Sequence, residues 1–208
     1  MKLISKCLLY GILDTGYVSA EDLHSMTRSL IAGGIDILQL RAKKNTPDAI
    51  LRMASHLVPL CREAGIPFII NDHPSLVRES GADGAHIGQD DMSVEEARHH
   101  AGPDALVGKS THSLEQAIVT AAELPDYLGF GPLFATPTKP DYTPIGMNEI
   151  HQVLSRVSLP VFCIGGIKES NLPEVISAGA RRVVIVSDLL TADDPVAKTA
   201  SCKALLQH

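Results

Sequence analysis

The chain has 208 residues with a formal net charge of -6, and 45% of it is hydrophobic against 20% charged. An acidic chain with no basic run is excluded as a nucleic-acid wrapper, since clustered Lys and Arg supply most of that affinity, and any phosphate it takes should be small and locally cradled. No stretch approaches the roughly 20 apolar residues of a membrane-spanning helix, and the length fits one domain, residues 1–208, at the lower limit of an eight-stranded α/β barrel.

The opening 13 residues pair Lys2 and Lys6 with an apolar run that leads straight to Asp14 without a small-residue cleavage site, so a buried first strand is expected rather than a secretory signal. From there, short β-like runs alternate with amphipathic stretches, the pattern of βαβ units around a parallel sheet. The expected strands are Leu8 to Leu13, Asp36 to Leu40, Pro67 to Asn71, Ala85 to Ile87, Leu106 to Ser110, Tyr127 to Phe130, Val161 to Ile164 and Arg182 to Val186. Helix starts are expected at Ser19, Thr46-Pro47, Ser93, Ser113 and Asp194-Pro195, where a short oxygen-bearing side chain can satisfy a free backbone N–H.

Short connections are expected throughout. A weak repeat, Gly34-Ile35-Asp36, Gly81-Ala82-Asp83, Leu124-Pro125-Asp126 and Gly179-Ala180-Arg181, leads into each even-numbered strand. The fold class is therefore a (β/α)8 barrel. An open doubly wound sheet is the alternative, but Gly11 to Gly16 reads GILDTG, without the GxGxxG that such sheets carry after the first strand. Cys7, Cys61, Cys163 and Cys202 lack metal-type spacing and read as reduced core thiols.

In such barrels the C-terminal strand ends build the site. Those ends carry Gln39-Leu40-Arg41-Ala42-Lys43, Asn71-Asp72, Gly88-Gln89-Asp90-Asp91, Ser110-Thr111-His112, Gly131 to Lys139, Gly165-Gly166-Ile167 and Ser187. Singly, Arg41, Lys43 and Lys139 read equally well as solvated charges. Gln39 and Arg41 flank apolar Leu40, which sends both to one side of the strand. Asp72 and Asp91, from adjacent strands, call for a cation; Mg²⁺ suits two carboxylates completed by substrate phosphate oxygens, although helix capping is a second reading. Gly165-Gly166 and Ser187 stand where barrels often hold a phosphate, with a plain turn as the alternative. His86, inside an apolar strand, reads as a core histidine; His112, beyond a strand end, reads as a substrate contact or acid/base group.

The segments QLRAK (39–43), IIND (69–72), GADGAHIGQDD (81–91), STHS (110–113), GFGPLFATPTK (129–139) and CIGGI (163–167) together resemble the thiamin phosphate synthase family along nearly the whole chain. The resemblance implies condensation of 4-amino-5-hydroxymethyl-2-methylpyrimidine diphosphate with a thiazole phosphate, releasing pyrophosphate; the charge balance separately leads to an expected cytoplasmic setting. The resemblance also implies Mg²⁺ on Asp72 and Asp91; Arg41, Lys43, Asn71 and Lys139 gripping the diphosphate with Gln39 nearby; and Ser110 helping pyrophosphate depart. Thr136 and Thr138 would border the thiazole phosphate, and Gly166 and Ser187 would bind it through backbone donors. A rim rich in cations and without an activated Ser or Cys leads to an expected mechanism of ionisation and positioning.

The sequence leaves the oligomeric state open, a homo-oligomer included. Ala42, His73 and Lys109 depart from the family pattern and bear on substrate affinity. A related thiazole tautomerase using His112 as acid/base is the rival reading, disfavoured by Asp72, Asp91, Gln89, Lys43 and Lys139. A non-catalytic regulatory barrel would tolerate loss of those groups, and a sugar-phosphate epimerase would want an opposed acid/base pair that the sequence lacks.

Overall fold

The computed structural model describes residues 3–136 and 143–207. Among them, parallel strands β1 (Leu9–Asp14), β2 (Ile37–Arg41), β3 (Phe68–Asn71), β4 (Gly84–Ile87), β5 (Leu106–Thr111), β6 (Tyr127–Phe130), β7 (Val161–Cys163) and β8 (Val183–Ile185) close into a barrel in chain order. The expected (β/α)8 architecture is therefore present, with strand ends displaced by at most one residue. Around it lie α1 (Leu23–Ala32), α2 (Pro47–Ala64), α3 (Val77–Ser80), α4 (Val94–Ala101), α5 (Leu114–Ala122), α6 (Ile150–Arg156), α7 (Leu172–Ser177), α8 (Ser187–Leu190) and α9 (Pro195–Leu205). No helix among the described residues is long and apolar enough to cross a membrane.

The helix starts follow local chemistry. Thr46, Ser113 and Asp194 accept from the backbone N–H three residues on, and Ser93 with Glu96 completes a capping box. Ser19 does not open a helix: it bonds the Asp22 carboxylate across a turn, and α1 begins at Leu23. The connections are not all short either, because β6 and α6 are separated by residues 131–149. All four cysteines are buried and outside any disulfide, as expected.

Alternation along the strands sorts side chains into two layers. One large cluster, including Leu9, Leu13, Leu38, Leu40, Phe68, Ile70, Leu128 and Phe130, fills the space between strands and helices. A second, including Tyr10, Ile12, Ile37, Ile69, Tyr127, Phe162 and Val184, fills the barrel interior. Registers Tyr10↔Ile37 and Tyr10↔Val184 put these interior residues at one level across the β1 seams. One step further along the same faces come Gln39, Asn71, His86, Ser110 and Gly129, so the interior turns polar toward the C-terminal rim. Gly108 is needed for this layering, since a β-carbon there would sit 2.1 Å from Cζ of Tyr127.

At the opposite rim the repeat has a structural meaning. Asp36 accepts from the backbone N–H of Leu8 and Leu9 at 2.7 and 2.9 Å, Asp83 from Phe68 at 2.8 Å, and Asp126 from Val107 at 2.7 Å. Each aspartate before an even strand thus caps the exposed start of the preceding odd strand. Asp36 is also paired with Lys203 of α9. The fourth copy ends in Arg181, and Arg182, the residue directly before β8, instead donates to the Ser5 carbonyl at 2.7 Å.

Candidate active site

A cleft enclosing about 940 Å³, part of it open to solvent, occupies the C-terminal mouth of the barrel. Of the expected site residues, Gln39, Arg41, Asn71, Ser110, His112, Thr136, Gly166 and Ser187 line it. Lys43, Asp72 and Asp91 lie outside its wall, and Thr138 and Lys139 lie outside the described residues.

The floor is a hydrogen-bonded chain that crosses five strands. Gln39 Nε2 donates to the Tyr10 hydroxyl at 2.7 Å, Tyr10 meets the Tyr127 hydroxyl at 2.9 Å, Tyr127 meets His86 Nδ1 at 3.2 Å, and His86 Nε2 meets Ser110 Oγ at 2.9 Å. Phe162 packs edge-on against both tyrosines, with ring centroids 5.4 and 5.5 Å away. Burial pushes both phenols above their usual range, so both stay neutral at working pH. His86 is thus no mere core histidine. Its strand is apolar, but the alternation that aims Gly84 and His86 inward places its ring in the cleft, beside Ser110. Tyr10 and Tyr127 were invisible as site residues because an aromatic in an apolar strand reads as core.

The cationic side of the cleft is internally braced. Asp14, 4% exposed, holds Arg41 Nη1 at 2.5 Å while its other oxygen accepts from Gly16 N at 2.8 Å. The pair fixes the guanidinium and leaves it further N–H donors for an anion. At the edge of the mouth Lys43 pairs with Asp72.

Both aspartates are anchored to the C-terminal end of β4. Asp72, at a left-handed φ of 62°, donates its backbone N–H to the His86 carbonyl at 2.8 Å. Asp91, solvent-exposed, accepts from Gly88 N at 2.6 Å through one carboxylate oxygen. Neither caps a helix: His73 precedes the turn at Pro74, and Ser93 caps α4. Among the described residues no three His, Cys, Asp or Glu side chains gather at metal-binding spacing. Two carboxylates with open phosphate positions are the donor set that Mg²⁺ accepts, so the residues fit that ion.

Across the mouth, Gly165 and Gly166 adopt φ of 99° and 64°, and β-carbons there would lie 2.3 Å from Pro132 Cβ and 2.7 Å from the Ala135 carbonyl oxygen. Only glycine permits that approach. Among the described residues nothing takes the backbone N–H of Gly166 or of Ser187, whereas Asn171 braces the turn by donating to the Gly166 carbonyl at 3.0 Å. His112 donates through Nδ1 to the Gly131 carbonyl at 2.5 Å.

Three expectations change. Gln89 faces away from the anion side: its amide donates to the Ser110 carbonyl at 2.5 Å and to Thr120 at 3.1 Å, bracing β5. Lys109, 5% exposed, points under α4 and α5, bonding Glu123 at 3.1 Å and the Met92 carbonyl at 3.3 Å, so this departure does not touch the cleft. The rim also holds a Ser–His contact, Ser110 with His86, where none was expected. Burial pushes the Cys61, Cys163 and Cys202 thiols up to about 12, out of nucleophilic range.

A family model described as thiamine monophosphate synthase matches residues 9–189. The thiamine-phosphate synthase of Shouchella clausii is 38% identical over 201 residues, covering 96% of both chains. That of Methanocella arvoryzae is also 38% identical, covering 96% of this chain and 95% of its own. Among solved structures, a thiamine phosphate pyrophosphorylase from Pyrococcus furiosus superposes with a TM-score of 0.89 at 29% identity, covering 99% of this chain and 98% of that one. A 3-hexulose-6-phosphate synthase at 16% identity and TM-score 0.69 shares the fold alone.

Proposed function

Because this chain belongs to the thiamine monophosphate synthase family, we propose that it is a transferase joining 4-amino-5-hydroxymethyl-2-methylpyrimidine diphosphate to a thiazole phosphate, yielding thiamin phosphate and pyrophosphate. One observation carries the reading: a single cleft gathers a braced arginine, an amide pair, a serine and a glycine turn whose Gly166 N–H meets no acceptor among the described residues, from different strands. That is the equipment for two phosphorylated substrates at once. In the reaction the methylene C–O bond breaks, pyrophosphate leaves with the electron pair, and the thiazole nitrogen lone pair forms the new C–N bond.

In this reading Arg41, Lys43 and Asn71 hold the diphosphate, Lys139 joins them, and Asp14 fixes the angle at which Arg41 presents its donors. Gln39 spends an N–H on Tyr10, which leaves its carbonyl oxygen to accept from the pyrimidine amino group. Ser110 donates to the departing pyrophosphate. Gly166 and Ser187 offer backbone N–H groups to the thiazole phosphate, with Thr136 and Thr138 beside it. Asp72 and Asp91 would hold Mg²⁺, which when bound neutralises charge on the diphosphate. Preset donors aimed at the developing charge lower the barrier most where water is excluded. A cytoplasmic setting is part of the proposal, supported by four buried cysteines that form no disulfide.

His112 keeps the tautomerase as the competing reading, since its ring lines the cleft with Nδ1–H given to the Gly131 carbonyl. Incubation with both substrates, with and without Mg²⁺, separates the two. Thiamin phosphate and pyrophosphate formed only with metal support the synthase; isomerisation of the thiazole phosphate without condensation overturns it.

A further inference from the structure

We propose that Gln39, Tyr10, Tyr127 and His86 form a directional relay that fixes the His86 tautomer and makes Ser110 a hydrogen-bond donor to the cleft instead of a nucleophile. The inference deepens the synthase reading and rests on it only for the identity of the anion that Ser110 meets.

The direction follows from donor capacity. The Gln39 amide nitrogen can only donate, so the Tyr10 oxygen receives its hydrogen at 2.7 Å and Tyr10 turns its own proton to Tyr127 at 2.9 Å. Tyr127, having accepted, gives its proton to His86 Nδ1 at 3.2 Å. A neutral imidazole that accepts at Nδ1 carries hydrogen at Nε2, which therefore donates to Ser110 Oγ at 2.9 Å. The Ser110 proton then has no claim from His86 and points to an acceptor in the cleft.

The arrangement is enclosed enough to keep that order. Gln39, Tyr10 and Tyr127 are at most 2% exposed, so no bulk water competes for their protons. Phe162 holds both phenol rings edge-on. Gly129 lies where a β-carbon would already touch His86 Cε1 at 3.4 Å, so the imidazole has a fitted slot. The neutrality of both phenols removes the charge state in which the relay would invert. In the opposite direction His86 Nε2 would accept from Ser110, which is the arrangement of an activated nucleophile. The relay thus decides between two chemistries for one serine.

The test is the ¹⁵N spectrum of histidine-labelled protein without substrates, with the His86 signals identified by their loss in His86→Asn. The relay predicts protonation at Nε2 and a bare, accepting Nδ1 in the parent, and an appreciable Nδ1–H population in Tyr127→Phe. In turnover, Tyr127→Phe should lower kcat roughly tenfold to a hundredfold, the cost of a misdirected donor to a developing charge, with KM for both substrates little changed. The double variant Ser110→Ala/Tyr127→Phe should be no slower than Ser110→Ala, because the tyrosine acts only through the serine. An Nδ1–H or doubly protonated ring in the parent overturns the relay, as do losses that multiply in the double variant. The parent spectrum decides the relay whatever the substrate, whereas failure to form thiamin phosphate would count against the functional reading alone.

Discussion

The two rims of the barrel solve opposite problems with similar residues. At the N-terminal rim, Asp36, Asp83 and Asp126 are each consumed by backbone N–H groups of a neighbouring strand, and Asp36 also takes Lys203. At the C-terminal rim, Asp72 and Asp91 are anchored to the end of β4, yet Asp91 remains solvent-exposed and, among the described residues, nothing takes the Gly166 N–H of the glycine turn. Carboxylates saturated from within hold strands together, whereas carboxylates left partly unsatisfied are available to a ligand. The cleft floor belongs to neither class, since its polar groups satisfy one another in series while one end, Ser110, faces the mouth.

Breaking the N-terminal rim should cost stability and little else. Asp36→Ala strands two backbone donors and a lysine that is nearly buried, so a loss of about 3–5 kcal/mol is expected in denaturant unfolding, with the rate per folded molecule kept. Gly166→Ala tests whether the other rim is free of such structural duty. Its β-carbon would meet the Ala135 carbonyl at 2.7 Å on a left-handed backbone, so about 1–3 kcal/mol of stability should go. Saturation kinetics should show a KM for the thiazole phosphate raised at least about tenfold by the displaced N–H.

Asp83→Asn gives the smallest effect and the sharpest sign. Desolvation raises the Asp83 pKa above its ordinary value, more than its bond from Phe68 and the nearby Arg62 lower it. The folded form therefore binds its proton more tightly than the unfolded chain, and stability falls as pH rises through the acid range into that raised pKa. Asparagine still accepts from Phe68, so unfolding at neutral pH should change by less than about 1 kcal/mol. The pH-dependent limb should vanish; an unchanged limb would assign it to another group.

The same contrast governs what was legible in the sequence. Strand order and the Asp36, Asp83 and Asp126 repeat were readable because apolar periodicity and backbone capping are local and recur with each unit. Thr46, Ser93, Ser113 and Asp194 behave as their side chains dictate, whereas Ser19 fails because its hydroxyl finds Asp22 first. Eight expected site residues reach the cleft because strand-end position alone predicts exposure to it. The relay was not legible: Tyr10 and Tyr127 sit in apolar strands distant in sequence, and only barrel closure brings their hydroxyls within 2.9 Å. Gln89 misleads for a related reason, since which way a polar side chain turns at a strand end depends on partners from other units. Alternation counted from Gln39 could have flagged His86, but not its bond to Ser110.

The division of labour between the rims is tested most directly by Asp91→Ala, with the initial rate of thiamin phosphate formation in the presence of Mg²⁺ and the thermal unfolding midpoint measured on one preparation. The account predicts a rate at least about a hundredfold lower and a midpoint within about 3 °C of the parent. A rate within about twofold of the parent's, or a drop matched by unfolding of the chain, would contradict it.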